Sequence, residues 1–166
     1  MTLQQKLLAK QSKKGFTLVE LVVVIAILGI LAAIAIPAVI GIINSANESQ
    51  SKTDAATIDA ACKDYYAELV AGTINKSAPG KITSTTETAV LPAANDGTTA
   101  RKTAALKCTI QGAMEYAGVT QLSNKLGDMT YDKEGTIFAK VDKSRTPVQN
   151  AKTLAATTKF SDLGYT

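Results

Sequence analysis

From Phe16 to Ile43 the chain is almost unbrokenly aliphatic, with Glu20 as its one charged residue. Beyond Ile43 the pattern changes. Ala55, Ile58, Cys62, Tyr65 and Leu69 recur every three or four positions, while Asp54, Asp59, Lys63, Asp64 and Glu68 take the places between them. That is the signature of an amphipathic helix with one face turned to a core. Gly72 is a natural stop. Residues 16–71 therefore predict one continuous helix of roughly 80 Å at about 1.5 Å per residue. A small globule cannot bury such a rod, so its first half requires lipid or other helices.

Residues 73–100 are rich in Thr, Ala and Ser, with Pro79-Gly80, Pro92 and Asp96-Gly97 as breakers. They predict a long surface loop with a short strand near Ala89-Val90-Leu91. Residues 101–117 read as a helix, because Leu106, Ile110 and Met114 repeat every four positions and Gly118 ends the run. Val119 to Leu126 adds a short helix. Met129-Thr130-Tyr131 and Thr136 to Val141 predict two strands joined around Lys133-Glu134-Gly135, a hairpin signal. The tail through Phe160 and Tyr165 is expected to supply a last strand. The fold class that follows is α+β: a long N-terminal helix whose second half packs on a small antiparallel β-sheet head.

Charge changes this picture mainly at the N-terminus. Lys6, Lys10, Lys13 and Lys14 all precede Gly15, and without them the chain carries 14 basic and 14 acidic side chains. The formal net charge of +4 thus belongs to the first segment. No later basic stripe interleaved with aromatics appears, so no nucleic-acid partner is expected. The sequence has no histidine, which removes the commonest general base and metal ligand. No cluster resembles a catalytic site, so no enzymatic activity and no cofactor are expected. Asp128, Asp132 and Glu134 lack the full ligand spacing of a calcium loop, and a solvated turn is the better reading.

The order of features around Gly15 is the informative one. An ordinary secretory signal places its apolar core before the cleavage site. Here the small residue precedes the apolar run, so cleavage after Gly15 retains that run. Its roughly 28 residues exceed the 20 or so needed to span a bilayer. The preceding lysines favour a cytoplasmic N-terminus. Three regions result: a leader (1–15), a transmembrane and assembly half-helix (16–43), and a globular head (44–166). Glu20 is costly near the start of a membrane helix. It either stays wet at the headgroup level or awaits a cation in an assembly, such as the amine that cleavage creates on Phe16 of a neighbouring copy. Gly29 and Pro37 weaken the helix between them, as a fixed kink or as a stretch able to melt. Ala26, Gly29, Ala32, Ala33 and Ala35 allow close helix approach.

Lys13-Lys14-Gly15-Phe16-Thr17-Leu18-Val19-Glu20-Leu21 and the aliphatic run behind it closely resemble the class III signal of type IV pilins and pseudopilins. The resemblance covers residues 13 to 40. It implies cleavage between Gly15 and Phe16 by a membrane-embedded prepilin peptidase, N-methylation of Phe16, and assembly by an ATP-driven machine with its ATPase and platform protein. The implied product is a homo-oligomeric extracellular filament whose subunits pass through the membrane, serving adhesion, motility or aggregation. Gly29 and Pro37 fall where the family often has a Gly and a Pro. A pseudopilin of a secretion or DNA-uptake system is the alternative, and a single-span anchored binding protein or enzyme a more distant one. Many pilins close a loop near the C-terminus with a disulfide. Cys62 and Cys108 are the only cysteines here, none lies C-terminal to them, and both a Cys62–Cys108 bridge and inert buried thiols stay open.

Overall fold

The structure is a computed structural model that describes residues 15–119, 126–140, 142 and 151–166. The chain divides into two compact units, residues 1–44 and 45–166. The first contains most of the apolar part of helix α1, which runs from Leu18 to Ala71 over 54 residues.

The second unit is built on the other end of α1. Ala55, Ile58, Cys62, Tyr65 and Leu69 are all buried, as their spacing predicts. Gly72 ends the helix with φ +86°. Its N–H reaches the Leu69 carbonyl at 3.2 Å, and the Thr73 N–H reaches the Glu68 carbonyl at 3.2 Å. This pair of bonds satisfies the last carbonyls of the helix and needs a left-handed residue between them, which glycine adopts at little cost.

Against that face lie α4 (Ile110–Ala117) and a three-stranded antiparallel sheet in the order β2-β1-β3. Strands β1 (Met129–Tyr131) and β2 (Ile137–Ala139) form the expected hairpin, with Tyr131 opposite Ile137. The Asp132 carboxylate accepts the Thr136 N–H at 2.8 Å and shapes the turn. Gly135 has φ +79°, and a Cβ there would overlap the Leu163 carbonyl. The Ile137 N–H donates to Asp59 of α1 at 3.3 Å, tying helix to sheet. Strand β3 is Lys152–Thr153, paired with the other edge of β1. The α+β class, with α1 packed on a small antiparallel sheet, is the one expected.

Three local expectations are corrected. The segment 73–100 is not merely a loop, and Ala89-Val90-Leu91 is not a strand. Residues Thr85–Val90 form helix α2, and Thr98–Ala105 form α3. Ser84 caps α2 by accepting the Glu87 N–H, and the Glu115 carboxylate accepts the Thr83 and Ser84 N–H groups at 2.8 and 3.0 Å. These donors outweigh the strand preference of a short Ala-Val-Leu run.

The single helix expected over 101–117 is two helices, α3 and α4, with an extended Thr109 between them. The C-terminal segment causes the break. The Phe160 N–H takes the Cys108 carbonyl, and the Ile110 N–H is taken by the Thr158 carbonyl, both at 3.0 Å. A continuous helix would have claimed those backbone groups for itself.

The residues around Phe160 and Tyr165 form turns, with a single bridge from Lys159 to Thr109, so the strand expected there lies earlier, at Lys152–Thr153. The helix expected over Val119 to Leu126 falls, apart from its two ends, outside the described residues; Leu126 opens a 3₁₀ turn.

No disulfide closes this C-terminal segment. Cys62 and Cys108 are both buried free thiols, and burial pushes each up to about 12. Aromatic packing takes the place of a bridge. Phe160 is fully buried. The Tyr165 ring lies 4.7 Å from Tyr66 and 5.1 Å from Phe160, and the Tyr66 hydroxyl donates to the Thr166 carbonyl at 2.8 Å. Phe160→Ala removes the centre of this cluster and is expected to cost about 3–5 kcal/mol. Denaturant unfolding of the full chain in detergent, followed by tyrosine fluorescence, measures it. A loss under about 1 kcal/mol would show that the cluster does not hold the C-terminus.

Candidate functional site: the start of the apolar helix

Residues 15–17 are not helical, and α1 begins at Leu18. The local cause is a reciprocal cap. The Thr17 N–H donates to Glu20 Oε2 at 2.8 Å, the Thr17 hydroxyl donates to the same oxygen at 2.7 Å, and the Glu20 N–H donates back to Thr17 Oγ1 at 3.3 Å. This is the capping box of a Thr-x-x-Glu sequence, in which side chains satisfy backbone donors that the first turn cannot. The negative carboxylate also complements the positive end of the helix. Sequence reasoning identified Glu20 but overlooked this role. The Thr17-x-x-Glu20 spacing ahead of an apolar run was the available signal.

Both bonds accepted by the Glu20 carboxylate fall on Oε2. Among the described residues Oε1 has no hydrogen bond, so it retains the capacity to accept from a cation. The cap and an intermolecular ion pair are therefore compatible on one carboxylate.

Gly15 and Phe16 sit in the open. A Cβ added at Gly15 would meet nothing within 4 Å, and Phe16 is 87 % exposed. The Gly15–Phe16 peptide thus lies outside the helix, just ahead of its first turn.

From Phe16 to Ile43 the chain exposes 18 large apolar side chains, 17 of them on the helix; Val24, the least exposed, is still 48 % exposed. Such a surface far exceeds what soluble monomers expose and marks a membrane or protein contact. Among the described residues, α1 is the one helix long and apolar enough to cross a membrane. Gly29 and Pro37 both lie inside it, and the helix is continuous through them. Pro37 lacks the N–H that would reach the Ala33 carbonyl.

The remaining candidates carry no chemistry. Cys62 and Cys108 have thiols made inert by burial. Asp132 is engaged in its turn and Glu134 pairs with Lys133 at 3.3 Å. Among the described residues no group of three or more His, Cys, Asp or Glu is placed to hold a metal ion.

Residues 10–36 match the family model of the prokaryotic N-terminal methylation motif, the class III signal of type IV prepilins. The matched stretch contains Gly15, Phe16, Thr17, Glu20 and Gly29. No curated protein and no solved structure matches the chain.

The cap yields a prediction separable from any role in assembly. Thr17→Ala should cost about 1 kcal/mol at the helix start, read as faster hydrogen exchange at residues 17–21 of the full chain in micelles. Glu20→Gln should leave that exchange nearly unchanged, since Gln also serves as the third residue of a capping box. Equal fraying in both variants would show that charge, not the hydrogen-bonded box, sets the helix start.

Proposed function

We propose that this chain, with its prepilin-type methylation motif, is a structural subunit of a type IV pilus. It enters the membrane as a precursor through residues 16–43, loses residues 1–15, and joins a helical filament outside the cell. The observation that carries this reading is the coincidence of the motif with an apolar half-helix whose large side chains are all exposed. Lipid covers those side chains before assembly, and the same segments of neighbouring copies cover them afterwards.

The chemistry at the helix start supports the sequence of events. A prepilin peptidase would cleave the exposed Gly15–Phe16 bond, and methylation would follow on the new Phe16 amine. That amine carries a positive charge at neutral pH. In the low-dielectric interior of a helical bundle, an unpaired Glu20 would be strongly unfavourable, and breaking a buried pair typically costs about 3–5 kcal/mol. Glu20 Oε1 of one subunit would accept from the Phe16 amine of its neighbour, while Oε2 keeps the cap on Thr17. The pair would fix the axial register of the subunits. Gly29 and Pro37 would let the helix between them adapt during packing. The pilus ATPase and its platform protein would extract the subunit from the membrane.

The reading is tested in a strain lacking the native copy. Filaments labelled with an antibody to residues 73–166 should be visible by electron microscopy, and their N-terminal sequence should begin at methylated Phe16. Gly15→Val should leave the leader attached, because a side chain there obstructs the close approach a peptidase needs. A mature start elsewhere would overturn the processing site. Glu20→Gln and Glu20→Leu should both be inserted and cleaved, yet yield few or no filaments by shearing; Thr17→Ala should still assemble. Normal filament yield from Glu20→Gln would defeat the pairing and leave Glu20 as a cap alone. Short periplasmic filaments in place of surface fibres would favour the pseudopilin reading.

A further inference from the structure

The most deeply buried carboxylate among the described residues of the head has no part in the fold or the filament reading. Glu87, on α2, is 1 % exposed. Among the described residues no Lys or Arg forms an ion pair with it. Thr109 supplies most of its donors: the Thr109 N–H reaches Oε1 and Oε2, each at 3.2 Å, the Thr109 hydroxyl donates to Oε1, and the Cys108 thiol also hydrogen-bonds to the carboxyl group. Gly112 of α4 makes room for it, since a Cβ there would come within 2.5 Å of Glu87 Oε2 and 2.9 Å of the Tyr65 ring. The carboxyl group is thus enclosed between α2, the first turn of α4 and the buried face of α1.

We propose that Glu87 is an acid-tightened latch, a buried carboxyl group whose protonation holds residues 84–91 more firmly to the start of α4. The groups facing it are Tyr65 of α1, Cys108 and Thr109 of the α3–α4 connection, and Glu115 of α4. Among the described residues none of these is cationic, so its negative charge is met only by the Thr109 donors, the Cys108 thiol and the positive end of α4. Thr109 makes no side-chain cap to α4 itself, having committed its hydroxyl to Glu87. The protonated form adds an O–H donor to a pocket that also holds the buried Tyr65 hydroxyl, whose neighbour among the described residues is the Cys108 thiol.

Burial raises the Glu87 pKa above the ordinary carboxylate value; the Thr109 hydroxyl and N–H work against that rise, and the Glu115 charge adds to it. The sign of the linkage follows. A group whose folded pKa is raised binds its proton more tightly in the folded state. Its contribution is full below the unfolded value of about 4.3 and is lost as pH rises through the folded value. Glu115 behaves in the opposite sense. Burial acts to raise it, but donors from Ser84, Gln111 and Thr83 outweigh burial and lower its pKa. Its contribution is lost as pH falls. The two oppose each other at the same segment, because Glu115 holds the Thr83 and Ser84 N–H groups, so a local readout has to be paired with a Glu87 variant.

Hydrogen–deuterium exchange of the full chain in detergent micelles, corrected for the intrinsic pH dependence of exchange, provides one. Between about pH 4 and pH 8, protection of peptides covering 84–91 and 108–119 should fall as pH rises, by up to about tenfold per pH unit while one proton is released. Peptides covering the β1–β2 hairpin should not follow. Glu87→Gln, which keeps the shape and removes the titration, should flatten the dependence. A wild-type profile that is flat or rising, or an unchanged slope in Glu87→Gln, would overturn the latch. If Glu87→Gln does not fold, a carbon-13 titration of the wild-type Glu87 carboxyl decides: a midpoint above that of ordinary glutamate supports the latch, and one at or below it sinks it. The outcome is independent of whether the chain forms filaments.

Discussion

The 28 or so residues from Phe16 to Ile43 carry more apolar surface than this chain can bury, and most other features answer to that constraint. Burial of a large aliphatic side chain contributes about 1.5–3 kcal/mol, so 18 exposed ones represent a driving force comparable to the net stability of several domains. That force has to be satisfied by lipid or by other helices. It explains why the segment is helical, since only a helix satisfies every backbone group internally in a dry surrounding. It also explains why polar chemistry concentrates at the segment's first turn, the one place where backbone donors remain unsatisfied.

At that turn Thr17 and Glu20 resolve a local problem with a local device. The carboxylate that looks misplaced in an apolar helix has a job within its own chain, and it retains one oxygen for a cation. A carboxylate capping its own helix is already oriented, so an ion pair formed with it loses less side-chain entropy than one formed by a free glutamate. Capping in the single chain is thus compatible with the proposed pairing in an assembly.

The head works within a different limit. It has few aromatics and no disulfide, and its core is modest. It concentrates Tyr65, Tyr66, Tyr116, Phe160 and Tyr165 in one contiguous cluster. Aromatic rings bury the most surface per residue, so a few of them at the junction of α1, α4 and the C-terminus accomplish what a covalent bridge would. The C-terminal segment in turn supplies the backbone partners that divide α3 from α4, placing Thr109 where Glu87 can meet it.

Residue order alone determined the long helix, the buried stripe from Ala55 to Leu69, the stop at Gly72 and the Met129–Ala139 hairpin. Each rests on periodicity, on a turn residue or on a short contiguous motif, all encoded within a few neighbouring positions. The Thr17–Glu20 box was legible by the same means, although it was overlooked. Tertiary structure decided the rest. Whether Ala89-Val90-Leu91 is strand or helix depended on Glu115 reaching Ser84 from some thirty residues away. Whether residues 101–117 form one helix or two depended on Phe160 claiming the Cys108 carbonyl. The burial of Glu87 depended on a threonine and a glycine at the start of α4 and a tyrosine of α1. Local propensities differ by a fraction of a kcal/mol per residue, and one or two long-range hydrogen bonds or a buried contact are enough to reverse them.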